Sequence, residues 1–517
     1  MATVKQYAPR LRTLQLIVLC TLTGCARVLD LDDYSLGQVV NTQSMECSSN
    51  HECPSDADNP QVCVDATHSC VPLKSEDCTT ITGDASVDDA IVIGSLFSFG
   101  GAMVAASTAR QAAAVLAVHE VDGSGGIPRG DSSAAARQLV MVSCDASANL
   151  VRAGKHLVDE LHVPAIVGPN SSQDTIDLSR QVSVSGGTVA ISPTALASSI
   201  ADLSDNGLTW QMVPTDLQRG EFLRIAIQDL AAQLMRERKE SAIKLGAVFR
   251  DDALGIGTRT SLNTLILNGS QLPTLVNRGE ARIDAYDLGA TDQQPTVRAY
   301  AEFAPDIIVL AGTSELVLDI MVPLERAWRA DKPRPYYMLI DSLKNKELLE
   351  AVMADDALRK RVRGTGLTPS PRSKAVYDAF QLSYQLANPG MPSDVNGIGP
   401  TYDATYAIAY ALAATFDQPI SGRSITKGLR MLSDGRDEIQ VQAVSLLAAF
   451  SHLVMKEPIN AIGTFGPLAW GPNGAVLGGT LELWCIGARG GRLSYQSSGV
   501  TVDLASGLLE GNYVQCE

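Results

Sequence analysis

Short apolar runs rich in β-branched residues alternate with longer stretches of helical composition, and that alternation restricts the fold of this chain more than any other feature. The run Ala90-Ile-Val-Ile-Gly-Ser-Leu-Phe97 is followed by Gly100 and Gly101 and reads as a buried strand leading into a loop. Residues 102–121 have helical composition and break at Asp122-Gly-Ser-Gly-Gly126. Strand-like runs follow at 137–142, 165–168 and 188–191, separated by helical stretches near 149–161 and 174–182. The same texture returns at Leu245-Gly-Ala-Val-Phe249, Asp306-Ile-Ile-Val-Leu310 and Tyr337-Met-Leu-Ile340. Strands spaced this way imply parallel sheets joined by right-handed crossovers. A chain of 517 residues exceeds one ordinary core, so two α/β units are expected rather than one oversized sheet. Only 5% of residues are aromatic, which leaves Ala, Val, Leu and Ile to build those cores.

The first 24 residues read as an export signal. Lys5, Arg10 and Arg12 supply the positive start, and residues 14–22 form an apolar stretch too short for a membrane-spanning helix of about 20 residues. The stretch ends in Leu22-Thr-Gly-Cys25, which resembles the bacterial lipobox. That resemblance implies cleavage before Cys25, a diacylglycerol on its sulfur, and a membrane anchor made of lipid alone. Ala26 follows, not the aspartate that often retains lipoproteins at the inner membrane, so a periplasm-facing site in the envelope is expected, with the outer membrane favoured. Residues 25–46 are polar and acidic, as a tether would be.

Removing Cys20 with the signal and Cys25 with the lipid leaves eight cysteines: Cys47, Cys53, Cys63, Cys70, Cys78, Cys144, Cys485 and Cys516. An even number in an oxidising compartment reads as disulfides. Five of them crowd a segment, 47–87 with its connector, that has too few apolar residues for its own core and needs covalent staples. No C-x-x-C pair suggests zinc, and although His51 or His68 could join a metal site, none is expected.

A set of fragments in fixed order then becomes informative: Ile91-Val-Ile-Gly94, Asp122-Gly-Ser-Gly-Gly126, Ala165-Ile-Val-Gly-Pro-Asn-Ser-Ser172, Ala190-Ile-Ser-Pro193, Gln211-Met-Val-Pro-Thr-Asp216, Thr401-Tyr-Asp-Ala404 and Gly463-Thr-Phe-Gly466. Together they resemble type I periplasmic binding proteins of the leucine/isoleucine/valine-binding class, across roughly residues 90–486. The resemblance implies a two-lobed α/β fold of parallel sheets flanked by helices, with discontinuous lobes. Lobe 1 would span 88–213 and 370–455. Lobe 2 would span 214–369 and 456–517, the last part including a C-terminal extension. It also implies that Cys485 and Cys516 staple that extension and that Cys144 reaches Cys78.

Ligands of open α/β sheets bind beyond the carboxyl ends of the strands. The loops there contain Ser98 and Phe99, then Ser171 and Ser172, then Ser192, Thr194 and Ala195. The resemblance puts Ser171 and Ser172 at the position that holds a ligand carboxylate, though both could simply cap a helix. Departures from the amino-acid binders are clear. Leu196 stands where a carboxylate-binding threonine is usual, so Thr194 would have to substitute, and Leu254 stands where an aromatic usually covers the ligand. Asp341 either takes a ligand ammonium or caps the helix after its strand.

Catalytic signatures are missing. The six histidines lack metalloprotease spacing, Gly123-Ser-Gly-Gly126 lacks the Lys-Ser/Thr of a phosphate loop, and no Gly-x-Ser-x-Gly elbow occurs. Asn170-Ser-Ser172 and Asn268-Gly-Ser270 match glycosylation sequons incidentally, and the acidic pairs read as solvated. A net charge of −16 argues against a nucleic-acid partner. The expectation is therefore a binding protein without enzyme activity or cofactor, which passes a small polar, amino-acid-like or carboxylate ligand to an ABC permease or a sensor. The alternative is a lipoprotein that uses the same fold to contact or regulate a cell-wall or envelope enzyme.

Overall fold

The computed structural model describes residues 46–56, 58–129, 135–289 and 292–517. The export signal, Cys25 and the tether up to residue 45 lie outside the described residues. Among the described residues, no helix is long and apolar enough to cross a membrane.

The Cys-rich segment is a small antiparallel hairpin, β1 (Gln61–Val64) with β2 (Ser69–Pro72), tied by Cys47–Cys63 and Cys53–Cys70. The Sγ atoms of Cys47, Cys53 and Cys70 lie within 4.8 Å of one another, but all three are in disulfides, which leaves no thiolate for a metal. Staples are half of what holds the hairpin. Val62, Val64 and Leu73 are buried in one apolar cluster with Leu96, Val140 and Leu157 of lobe 1. Asn50 joins the two parts, donating from Nδ2 to the Val87 carbonyl (2.9 Å) and accepting at Oδ1 from Cys63 N (2.9 Å).

The lobe 1 sheet contains β3 (Cys78–Thr82), β4 (Ile91–Phe97), β5 (Leu139–Asp145), β6 (Ala165–Val167), β7 (Val189–Ser192) and β8 (Thr209–Gln211) in the order β3-β5-β4-β6-β7-β8. Only β3 runs antiparallel, and Cys78 sits opposite Cys144, to which it is disulfide-bonded. Ile93, Val140, Ile166 and Ile191 have no exposed surface, as strands covered on both faces require.

The main sheet of lobe 2 holds eight strands. These are β9 (Leu245–Arg250), β10 (Ala281–Tyr286), β11 (Ile307–Ala311), β12 (Tyr336–Leu339), β13 (Val362–Thr368), β14 (Thr480–Arg489), β15 (Arg492–Asp503) and β16 (Leu508–Glu510), ordered β10-β9-β11-β12-β13-β14-β15-β16. The first five are parallel and the last three add an antiparallel edge. Cys485 on β14 is bonded to Cys516 near the chain end.

Six helices matter for the cleft: α1 (Val104–Gly123), α2 (Ser172–Leu178), α3 (Asp216–Arg238), α4 (Ala253–Leu262), α5 (Lys374–Ala387) and α6 (Ile398–Ala414). α6 is buried along its whole length, and its residues share the lobe 1 core with α1 and α5. The chain therefore crosses between lobes three times: from β8 to α3, from β13 to α5, and into β14. The last crossing comes later than the sequence boundary at 456. Ile459, Ala461, Ile462, Leu468, Trp470 and Val476 all pack in the lobe 1 core. Asn460–Ile462 pairs there with Glu438–Gln440, and this pairing seats the segment in lobe 1.

Gly364 on β13 illustrates how tightly lobe 2 is built, because a Cβ there would stand 2.1 Å from Trp484 Cζ2 on β14. Trp484 is fully buried and cannot move aside. Gly364→Ala is expected to lower stability by about 1–3 kcal/mol, read as a fall in the urea midpoint. Gly487→Ala, whose Cβ would meet only the movable end of Gln496, should cost clearly less.

Candidate functional site

Three loops at the carboxyl ends of lobe 1 strands line the face toward lobe 2, and their hydroxyls are bonded mostly to one another's backbone. After β4, the Ser98 carbonyl accepts from Ser107 Oγ (2.5 Å), and Phe99 N donates to Asp145 Oδ1 (3.0 Å) while its ring rests half-buried on the lobe 1 core. After β6, Ser171 caps α2, its Oγ accepting from Asp174 N at 3.0 Å. Ser172, buried, accepts at Oγ from both Leu196 N and Ala197 N (3.1 Å each). After β7, Ser192 Oγ donates to the Pro169 carbonyl (2.6 Å) and accepts from Ala195 N (3.0 Å). Thr194 Oγ1 donates to the Asn170 carbonyl at 2.6 Å. Ala195 is buried in a small apolar cluster with Ile176 and Ile200. The predicted lobe 1 residues thus converge on one surface, with the two serines of the carboxylate position in different roles. Ser171 holds its helix. Ser172 has both acceptor sites filled by backbone N–H groups, so its remaining proton can only be donated.

On the lobe 2 side, Leu254 opens α4 and is buried in the same apolar cluster as Leu196. Leu196 and Leu254, the two departures named above, therefore lie in one apolar cluster. Asp341 is also buried, and its carboxylate pairs with the guanidinium of Arg219 on α3. Asn345 caps the helix that follows, accepting from Leu348 N. A cavity with room for about one water (≈ 20 Å³) lies beside this pair, bordered by Leu196, Asp216, Leu223 and Thr365.

Residues that the sequence reading did not single out complete the site. Arg110 on α1 is 6% exposed, and its Nε donates to the Asn396 carbonyl at 2.9 Å. Asn396 in turn donates from Nδ2 to the Asp341 carbonyl (3.3 Å), which carries the contact from lobe 1 to lobe 2. Burial pulls the Arg110 guanidinium down to about 10, so it stays charged at neutral pH. Gln211 donates from Nε2 to the carbonyls of Ala195 and Ala197 (3.0 and 3.2 Å). Asp216 accepts from Ser198 N (3.1 Å), and burial raises its carboxyl above the usual range. Arg110 Nη1, Asn170 Oδ1, Gln211 Oε1 and Asp216 Oδ2 are buried without a partner among the described residues. Arg110 carried one visible signal: it is the only Lys or Arg in α1.

No family model and no curated protein matches this chain. Solved structures do. The branched-chain amino acid transporter substrate binding protein LivJ from Streptococcus pneumoniae, in complex with isoleucine, is 18% identical over 79% of this chain and 99% of its own, with a TM-score of 0.57. The leucine binding protein LivK from Thermotoga maritima is 12% identical over 79% and 98%, with a TM-score of 0.56. A solute binding protein of an ABC transporter from R. palustris, in complex with 4-hydroxybenzoate, is 14% identical over 79% and 96%, also with a TM-score of 0.56. These likenesses show the fold: that of the two-lobed type I periplasmic binding proteins.

A second cavity of similar size lies where the crossings meet, bordered by Met212, Pro214, Leu367, Gly478 and Gly479. Asp403 of α6 faces it. One carboxylate oxygen accepts from Thr464 N and Oγ1 (2.8 and 2.7 Å), the other has no protein partner, and burial pushes the carboxyl up to about 7. The folded protein thus keeps a proton that the unfolded chain releases near pH 4. Stability from this group is lost as pH rises from about 4 to about 7, by at most roughly 1.4 kcal/mol per pH unit. Asp403→Asn removes that slope, so relative to wild type the variant should gain urea resistance between pH 5 and pH 8. An equal difference at both pH values would exclude the ionisation.

Proposed function

We propose that this chain is an exported, lipid-anchored solute-binding protein that closes two lobes over a small polar ligand and presents it to an ABC permease or a sensor. The observation that carries this reading is the concentration of four buried polar atoms without protein partners on or beside the loops that lobe 1 turns toward lobe 2. Each such atom costs of the order of 1–3 kcal/mol unless something satisfies it, and a polar ligand between the lobes would do so. The fold adds weight, since structures with this architecture include binders of isoleucine and of 4-hydroxybenzoate. Lipid attachment at Cys25 and the outer-membrane address rest on the lipobox and on Ala26. A site of this kind binds and releases, and we assign it no catalytic step.

The burial of Leu196 and Leu254 favours a second reading, an envelope protein that contacts a cell-wall enzyme and no longer takes a metabolite. Thermal-shift screening of the purified full-length chain with amino acids, amides and small carboxylates separates the two. A ligand at a hundred times its Kd should stabilise the protein by about 2.7 kcal/mol. No shift across the library, with one envelope enzyme co-purifying in stoichiometric amount, would establish the second reading instead.

A further inference from the structure

Three features of the cleft bear on the class of ligand. The first is Arg110. Its side chain is buried against Thr194 and Asn396, and the point at which a Cβ on Gly397 would stand lies 2.8 Å from Arg110 Nε and 2.3 Å from Thr194 Cγ2. Among the described residues it makes no ion pair, and the carboxylate that acts on its charge is that of Asp341, across the cleft. Nη1 has no hydrogen-bond partner among the described residues. A buried guanidinium left like this is strongly unfavourable, and the group whose planar geometry and charge match it is a carboxylate.

The second feature is Asp341. A carboxylate in this position could receive an ammonium, but the guanidinium of Arg219 already occupies it, and both side chains are nearly buried. An incoming ammonium would have to displace a bound arginine and leave that charge buried. The third is Ser172, whose hydroxyl is restricted to donation by the N–H groups of Leu196 and Ala197. Arg110 Nη1 and the Ser172 hydroxyl are thus the donors left over on the lobe 1 side, beside the orphaned acceptors Asn170 Oδ1 and Gln211 Oε1, and the Asp341 carboxylate on the lobe 2 side is already engaged.

We propose that the cleft binds a small organic acid without an α-ammonium group, its carboxylate paired with Arg110; this rests on the solute-binding reading. Entry requires the lobes to part, which breaks the Asn396–Asp341 contact and uncovers Arg110.

Calorimetric titration of the purified full-length chain tests it, with benzoate and 4-methyl-2-oxopentanoate as acids, and L-leucine and inorganic phosphate as comparators. At least one acid should bind with a Kd tenfold or more below that of L-leucine. Arg110→Gln should weaken that binding at least tenfold while the melting temperature holds or rises, since an unpaired buried charge has been removed. Arg110→Lys, which keeps the charge and loses the fork, should fall between and serves if Arg110→Gln does not fold. L-leucine binding as tightly as either acid, or acid binding indifferent to Arg110→Gln, would overturn this inference and leave the solute-binding reading standing. Preference for phosphate would overturn the carboxylate assignment. Failure of every probe here and of the wider library would overturn both.

Discussion

The stretch 193–198, just past the end of β7, has no regular ladder to satisfy its backbone and is largely buried, so its polar groups need partners from elsewhere. The partners come from four directions. Ser192 turns back on Ala195 N, and Ser172 receives Leu196 N and Ala197 N. Gln211 donates to the Ala195 and Ala197 carbonyls from the end of β8. Asp216, the first residue of α3, donates its N–H to the Leu196 carbonyl (2.7 Å) and receives Ser198 N on its carboxylate. One loop thus ties the strand ends of lobe 1 to the helix with which lobe 2 begins. Ser172 and Gln211 read as binding residues or as bystanders when taken singly. Their geometry shows that they first hold the loop, and only the groups left over face a ligand.

Charge in this cleft is arranged by burial more than by number. The chain carries a net −16, yet the charged groups at the lobe contact include the half-buried Arg219 and the buried Asp341, Arg110 and Asp216. Arg219 and Asp341 neutralise one another. Arg110 and Asp216 do not pair, and burial shifts each toward its neutral form. A guanidinium yields little to this pressure, because even lowered to about 10 it is protonated at pH 7, whereas a carboxyl can respond by taking up a proton. Arg110 therefore keeps an unpaired positive charge in the site of a molecule that is negative as a whole.

The core strands of both lobes were legible because burial on two faces demands uninterrupted β-branched runs, as in Ile91–Phe97 and Ile307–Ala311. Strands lacking that texture were not. Ala281–Tyr286 is an edge strand with Arg282 and Asp284 paired on it, and Val362–Thr368 is interrupted by two glycines, the first of which makes room for Trp484. The late return to lobe 2 escaped for a similar reason: Gly463-Thr-Phe-Gly466 looks like a loop, but Thr464 is drawn into lobe 1 by Asp403, a partner 61 residues earlier. Arg110 was hidden most thoroughly. On a helix, an arginine facing solvent and one facing a cleft look alike in sequence, and the difference lies in Gly397, Thr194 and Asn396, all distant along the chain.

Apolar contact across the cleft alters what a ligand has to contribute. Ile176, Ala197 and Ile200 of lobe 1 share a small cluster against which Ala253 of lobe 2 packs, and Leu196 lies in the lobe 2 core with Leu254. Burying one leucine-sized side chain is worth about 1.5–3 kcal/mol, a contribution to closure of roughly tenfold or more before any ligand arrives. A ligand shifts the lobe equilibrium only by its differential affinity for the closed form, so here it need supply less of the closing free energy. The cost appears in access, since binding to a rarely open cleft is weakened in proportion to the open fraction. Strong electrostatic attraction to a buried cation compensates for that loss, whereas the weak hydroxyl contacts left on these loops would not. Under the proposed function, the apolar seam favours closure and the unpaired arginine favours a ligand of opposite charge.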